Sequence, residues 1–289
     1  MKIAIFGNTN RPAILSCLKI IFATLEKKDV SFLFEKKLYA YIRANGLCPG
    51  NACVIENGDF YADLALSIGG DGTFLTTAAH VGNKQIPILG VNTGRLGFLT
   101  DVSDENIEAA IEVILQKKYY TEERSLLFVE TSANDSLQYP YALNEVAVLK
   151  QDTSSMIAIS AMVNGEPVHT YQSDGLIVST PTGSTAYSMS VGGPIVVPQA
   201  QSFVLSPVAS HSLNVRPLII PDSWEIELEV NSRTGSFLLA LDGRSIVLNQ
   251  SSKLKISKAA HSIKMIKQPG HTFFNTLKNK LMWGMDKRN

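Results

Sequence analysis

The apolar run Leu64-Ala65-Leu66-Ser67-Ile68 stops at Gly69-Gly70-Asp71-Gly72, and a helical pattern begins at once with Thr73-Phe74-Leu75. A short run with no polar face reads as a strand buried in a parallel sheet. Two glycines permit backbone geometry closed to other residues and let a ligand come close to the main chain. The helix start that follows presents unpaired N–H groups and partial positive charge, which suits the tip to phosphate. A carboxylate placed there makes chemical sense if it binds a metal ion or orients a hydroxyl that attacks phosphorus. The competing reading is an ordinary strand-to-helix turn in which Asp71 caps the helix. These four residues alone do not choose between the two.

The surrounding pattern places that turn in an α/β unit. Lys2–Phe6 reads as a strand, Gly7-Asn8-Thr9-Asn10 as a turn, and Arg11 to Lys28 as a helix with Pro12 in its first turn, where proline is tolerated. Val30–Phe34 and Ile86–Val91 read as strands, Glu35–Ala44 and Asp104–Lys117 as helices, and Asn45 to Asp59 as an exposed loop. Repeated strand–helix units imply a parallel, Rossmann-like sheet with ligands at the carboxyl ends of its strands. Gly69–Gly72 lies at such an end, and so does Asn92-Thr93-Gly94-Arg95-Leu96-Gly97-Phe98.

Beyond Tyr119–Arg124 the period changes. Glu225-Ile226-Glu227-Leu228-Glu229-Val230 alternates strictly, and Ser236–Leu241, Lys253–Lys258 and Ser262–Lys267 read as further strands. Such half-buried alternation predicts a β-rich domain of stacked antiparallel sheets. The chain closes with an amphipathic helix, Phe273–Trp283, after Pro269-Gly270. The expected division is 1–120 for the α/β nucleotide-binding domain, 121–268 for the β-rich domain, and 269–289 for a helix packing back on the first.

Composition narrows the partners. The formal net charge is zero, from 26 acidic and 26 basic residues, so bulk attraction to nucleic acid or an anionic membrane is not expected. The amino-terminal apolar segment is too short for a signal peptide and no run is long enough to span a bilayer, which points to the cytoplasm. Three cysteines, Cys17, Cys48 and Cys53, lack metal-type spacing and read as free thiols. His80, His169, His261 and His271 show no triad or metal spacing either.

A second informative stretch is Ser173-Asp174-Gly175-Leu176-Ile177-Val178-Ser179-Thr180-Pro181-Thr182-Gly183-Ser184-Thr185-Ala186-Tyr187-Ser188. It reads as a buried strand between an aspartate and a hydroxyl-rich turn, with Ser184 capping a helix from Thr185. Small residues let a flat ring approach the backbone while Asp174 and the hydroxyls offer hydrogen bonds, a composition suited to a nucleoside. The Gly-Gly-Asp-Gly turn, Asn92–Phe98, the pair Asn144-Glu145 and this stretch, in that order, resemble the NAD kinase family over nearly the whole chain. Gly192-Gly193-Pro194, Arg216-Pro217-Leu218 and Asp242-Gly243 continue the likeness.

The resemblance implies an α/β domain joined to a β-rich domain with the active site between them. It implies transfer of the ATP γ-phosphoryl group, or in some members a polyphosphate phosphoryl, to the adenosine 2′-hydroxyl of NAD. Mg²⁺ or another divalent ion and assembly as a homodimer or homotetramer are implied as well. Carried over, Asp71 is the catalytic carboxylate, with Gly72 and Phe98 beside it at NAD. Asn144 and Glu145 hold ribose hydroxyls, Asp174 meets the nicotinamide end, and Thr185, Ala186, Tyr187, Ser188, Met189 and Ser190 line the pocket. Gln172, where some members carry a basic residue, and Ala209 also fall at NAD. Gly69, Gly70, Thr73 and Arg95 are the candidates for the donor phosphates, and no metal-ligand set can be assigned. Asp242-Gly243 reads first as a hairpin turn. A lipid kinase or phosphofructokinase sharing the glycine turn, or a sensor without chemistry, are the rivals. Thr182–Ser188 and the Asn-Glu pair speak against the first two, and Asp71 against the last.

Overall fold

The computed structural model describes residues 1–26, 28–56, 58–94, 97–132, 137–152 and 155–284. It divides into two compact units, Met1–Glu123 with Ile263–Asn289, and Arg124–Ser262.

The first unit alternates strands and helices: β1 (Lys2–Gly7), α1 (Ala13–Leu25), β2 (Ser31–Phe34), α2 (Lys36–Ala44), β3 (Ala52–Val54), β4 (Leu64–Gly69), α3 (Asp71–Val81), β5 (Ile88–Asn92), β6 (Val102–Ser103) and α4 (Ile107–Leu115). The strands pair in parallel, in the order β3-β2-β1-β4-β5, with β6 beside β5. All of β4 and β5 is buried, which is why their sequences are apolar on both faces. The polar exceptions are Asn92, at the end of β5, and Ser67, which is fully buried and accepts a hydrogen bond from the Thr77 hydroxyl at 3.0 Å, fastening α3 to its strand. The core gathers Ile3, Ile5, Leu66, Ile68 and Val91 from the sheet with Ile14, Leu18, Ile21, Leu38 and Ile111 from the helices.

Three local expectations change. The segment 45–59 is not all loop, because Ala52–Val54 adds a parallel edge strand to β2. Three residues were too few to show a period. Asp104–Asn106 forms a turn of 3-10 helix before α4, and Pro12 stands as the N-cap of α1.

The second unit begins within β7 (Tyr120–Thr131) and continues through β8 (Tyr141–Ala142), β9 (Glu145–Lys150), β10 (Ile157–Val163), β11 (Glu166–Ser173), β12 (Gly175–Ser179), α5 (Tyr187–Ser190), β13 (Ser202–Val208), β14 (Leu218–Pro221), β15 (Ile226–Asn231), β16 (Ser236–Leu241), β17 (Arg244–Asn249) and β18 (Leu254–Lys267). One sheet runs β14-β13-β12-β9-β16-β17, and another run pairs β11-β10-β15-β18, all antiparallel. Alternate residues of both, among them Val146, Val148, Leu176, Val178, Ile159, Leu228 and Ile256, fill the core between them. The two strands expected at 253–258 and 262–267 are one, since Ala259-Ala260-His261 contains no residue that breaks a strand. The chain returns to the first unit within β18, where Met265 pairs with Ile88, and ends in α6 (Phe273–Leu281). No helix among the described residues is long and apolar enough to cross a membrane.

Candidate active site

In the first unit the turns after β1, β4 and β5 meet at the carboxyl ends of the strands. Asn8 donates its N–H to the Ile68 carbonyl at 3.1 Å, and Thr93 donates to the Gly69 carbonyl at 3.2 Å. Gly70 is the N-cap of α3, with extended backbone at φ −109°, and Asp71 opens the helix. Gly69 ends β4, while Gly72 and Thr73 lie in the first turn of α3.

Asp71 does not cap its own helix. Its carboxylate turns to the segment after β5 instead. Oδ2 accepts from Phe98 N–H at 2.9 Å, and Oδ1 accepts from Leu99 N–H at 3.0 Å and from the Thr100 hydroxyl at 3.3 Å. Two glycines make this possible. A Cβ on Gly97 would lie 1.9 Å from Asp71 Oδ1, and a Cβ on Gly90 would lie 2.3 Å from the Leu99 carbonyl, so 97–100 can settle on β5 only if both are bare. A buried ion pair between Asp101 and Lys267 holds the far end of that segment. The Lys280 ammonium stands 3.4 Å from Asp71 Oδ2 and 4.4 Å from the centre of the Phe98 ring. Arg95 lies outside the described residues.

Beside the turn opens a cleft of about 440 Å³, lined by Asn8, Thr9, Arg11, Lys37, Thr73 and Thr76 among others. Arg11 spans it. A Cβ on Gly94 would lie 2.9 Å from one terminal nitrogen of its guanidinium, and a Cβ on Gly70 4.0 Å from the other. On the cleft wall His80 stacks on Phe6 at 5.3 Å, and burial lowers its pKa, so it stays neutral at neutral pH. In the sequence Arg11 reads only as a helix start. The available signal was a cation directly after the first strand's glycine turn.

In the second unit three distant motifs interlock. Asn144 and Glu145 open β9, and Asp242 in the β16–β17 turn accepts N–H bonds from Leu143 at 2.7 Å, Asn144 at 2.8 Å and Glu145 at 3.1 Å. The turn is the two-residue hairpin expected, with Asp242 at φ +48° and Gly243 at φ +80°, but it also clamps the Asn-Glu pair. The Thr180 hydroxyl donates to the Leu143 carbonyl at 2.6 Å, and a Cβ on Gly183 would lie 2.0 Å from the Asn144 carbonyl oxygen, so the hydroxyl-rich turn rests directly on the pair.

The Glu145 carboxyl accepts from the Tyr187 N–H, yet its Oε2 is buried without a partner. Burial first, and then the Asp242 charge, push its pKa up to about 7. Burial also raises Asp242, but three N–H donors and Arg244 oppose the rise. Three backbone donors favour the charged form of the Asp242 carboxyl, whereas Glu145 has one, so the geometry favours the proton on Glu145. A carboxyl whose native pKa exceeds its unfolded value binds more protons when folded. The stability that it lends is full below about pH 4.5 and lost as the pH rises through 7. Glu145→Gln, a neutral isostere, should thus gain about 3 kcal/mol over the parent at pH 8 and under about 1 kcal/mol at pH 5. Melting curves at the two pH values test this, and a pH-independent difference would refute it.

The remaining candidates divide. Thr185, Ala186, Tyr187, Met189 and Ser190 are partly or fully exposed around α5. Ser188 is fully buried and bonds the Ser206 hydroxyl at 3.0 Å, so it supports the turn rather than presenting a contact. The expected cap fails as well. Ser184 donates to the Pro181 carbonyl at 2.7 Å and accepts from Val196 N–H at 3.0 Å, and the helical segment is a 3-10 turn followed by α5, whose N-cap is Ala186. The turn is too tightly folded over residue 196 to leave that hydroxyl for a helix end. Asp174 pairs with Lys150 at 2.7 Å, Gln172 is exposed and accepts from His211 N–H at 2.9 Å, and Ala209 follows β13 at φ +46°. Since Ser179 pairs with Glu145 while Gly175 pairs with Leu149, Asp174 lies at the opposite end of β12 from Glu145, about 17 Å at 3.4 Å per residue.

Anion-binding N–H groups beside a carboxylate that does not occupy them are what a phosphotransferase requires. Residues 49–119 match the ATP-NAD kinase N-terminal domain and residues 143–268 the ATP-NAD kinase C-terminal domain. An NAD kinase of Bacteroides fragilis is 49% identical over 289 residues, all of both chains. Those of Flavobacterium psychrophilum and Porphyromonas gingivalis are 42% and 43% identical, over 100% and 98% of both chains. Yeast NADH kinase, solved complexed with NADH, shares the fold with a TM-score of 0.90 at 22% identity, over 99% of this chain and 89% of that one. An Archaeoglobus fulgidus NAD kinase solved in complex with ATP gives 0.76 at 27% identity, over 98% and 99%. The chain belongs to the ATP-NAD kinase family.

Proposed function

We propose that this enzyme moves the γ-phosphoryl group of ATP to the adenosine 2′-hydroxyl of NAD, with Asp71 receiving the hydrogen of that hydroxyl. The observation that carries the assignment is the Asp71 carboxylate, turned away from the N–H groups of its own helix and fixed by three donors from 98–100. The start of α3 is thereby left to an anion. Phosphoryl transfer is loose, so positioning and charge neutralisation dominate and a strong base is not needed. Asp71 orients the hydroxyl by accepting its hydrogen bond and takes the proton late.

The donor lies in the cleft beside the turn, its phosphates on the N–H groups of Gly70 and Gly72, the Arg11 guanidinium and the Thr73 hydroxyl, where polyphosphate could bind in the same way. NAD is held by Asn144 and Glu145 at one end of β12 and by Asp174 at the other, a separation that suits an extended dinucleotide. The unpaired Glu145 Oε2 supports a ribose hydroxyl as its partner. Tyr187, Ala186 and Thr185 supply the wall. No group of three His, Cys, Asp or Glu residues among the described residues could hold a metal ion. A divalent ion that enters with the triphosphate, as part of the donor, would supply the remaining charge neutralisation. Homo-oligomeric assembly and a cytoplasmic location complete the reading that the family resemblance supports.

The test is purified protein with ATP, Mg²⁺ and NAD, scored for NADP through glucose-6-phosphate dehydrogenase. No product would refute the assignment. Arg11→Ala should raise the KM for ATP roughly tenfold or more, as expected for loss of a charge-assisted contact, with the KM for NAD little changed. A rise confined to NAD would move the donor elsewhere.

A further inference from the structure

The Lys280 contact is not explained by folding alone. A lysine in the last turn of α6 has free choice of solvent, yet its ammonium lies over the Phe98 ring and against Asp71 Oδ2. The helix is anchored nearby by Leu277, buried to 3% exposure, and by Phe273, whose ring stands 6.3 Å from that of Phe98. Its N-cap Thr272 accepts from Asn275 N–H at 3.2 Å, so the helix is capped as well as packed. Every other group on Asp71 is a neutral donor: two backbone N–H groups and one hydroxyl. Lys280 is the cation that the described residues bring to this carboxylate, from 209 positions away in the chain.

Resting on the kinase reading above, we propose that Lys280 is a positioning residue for phosphoryl transfer, neutralising Asp71 so that the carboxylate and the incoming triphosphate can share one small space. A bare carboxylate beside a phosphoryl group repels it, and like charges a few ångströms apart near a protein surface oppose each other strongly. A fixed ammonium against the carboxylate removes most of that repulsion without occupying the α3 N–H groups. The ring of Phe98 holds the ammonium by its face, so the charge stays in place while the fixed Asp71 carboxylate accepts the hydrogen bond of the hydroxyl.

The experiment compares the full chain with Lys280→Met, Lys280→Arg and Leu277→Ala in the coupled NADP assay, varying NAD and ATP. Methionine keeps the apolar stem over Phe98 and removes the charge. Lys280→Met should lower kcat by roughly tenfold to a hundredfold, as for loss of a preorganised charge, and leave the KM for NAD within about threefold. Lys280→Arg should restore most of the rate. Leu277→Ala, which loosens the helix but keeps the ammonium, should lower the melting temperature more than kcat. An unchanged kcat in Lys280→Met overturns the proposal. So does an arginine variant as slow as the methionine one, or a fall in the KM for NAD, which would make Lys280 a competitor of the substrate hydroxyl. A parent enzyme that forms no NADP refutes the kinase assignment and this proposal with it, whereas an active parent with an unaffected methionine variant refutes this proposal alone.

Discussion

Asp71→Asn should cut NADP formation by roughly three orders of magnitude while NAD still binds with an affinity within a few-fold of the parent. The size follows from what a positioned proton acceptor contributes, about 10²–10⁴. The direction follows from the contacts. A carboxylate offers acceptor sites on both oxygens, and here Oδ2 faces Phe98 N–H while Oδ1 faces Leu99 N–H and the Thr100 hydroxyl. An amide has one oxygen. Its NH₂ group must oppose one of those N–H donors, and it can only donate where the substrate hydroxyl needs an acceptor. NAD affinity changes little because the hydrogen-bonding partners proposed for it, Asn144, Glu145 and Asp174, belong to other motifs. Initial rates and equilibrium titration with NAD measure the two quantities separately. A variant keeping most of its kcat would remove Asp71 from the chemistry.

Asp242→Ala should be the most damaging change in the second unit, although Asp242 is assigned no contact with substrate. Its side chain gathers the N–H groups of Leu143, Asn144 and Glu145 at 2.7–3.1 Å and is itself only 6% exposed. Alanine leaves three buried donors without a partner and places a Cβ residue that disfavours φ +48° in a turn that asparagine or aspartate tolerates. Each orphaned donor costs about 1–3 kcal/mol before relaxation, so a net loss of about 3–5 kcal/mol is expected. For a chain of this size that lowers the melting temperature by roughly 6–15 °C. The KM for NAD should rise as the Asn-Glu pair loses its clamp. Asp242→Asn, which suits the turn but supplies one acceptor, should fall between. Calorimetry and the KM for NAD check both effects, and a stable alanine variant with parental KM would show that the β9 start is held by its neighbours alone.

Strand, turn and helix around Asp71 were legible because each depends on a local pattern: an all-apolar run, two glycines, and a helix that starts directly after them. The hairpin at Asp242-Gly243 was legible for the same reason, since both residues tolerate positive φ. Failures also had local causes. Ala52–Val54 is too short to show a period, and the long strand β18 reads as two because Ala259-Ala260-His261 looks like a boundary in one dimension. Ser184 carries the composition of a helix cap, but the chain places Val196 N–H on its hydroxyl instead. Ser188 reads as a pocket residue until its hydroxyl is seen bonded to Ser206.

The sequence by itself determined the two kinds of domain and the family, and put forward the residues proposed to carry chemistry, because hydrophobic period and short motifs are properties of neighbouring residues. Only the tertiary structure decided what those residues touch. Asp71 could have capped its own helix, and it is the bare backbone of Gly90 and Gly97 that brings Phe98 and Leu99 within its reach. Asp242 meets Asn144 across 98 positions, and Lys280 meets Asp71 across 209. Such pairings depend on strand register and on where a distant helix packs, and neither is written in any window short enough to be read along the chain.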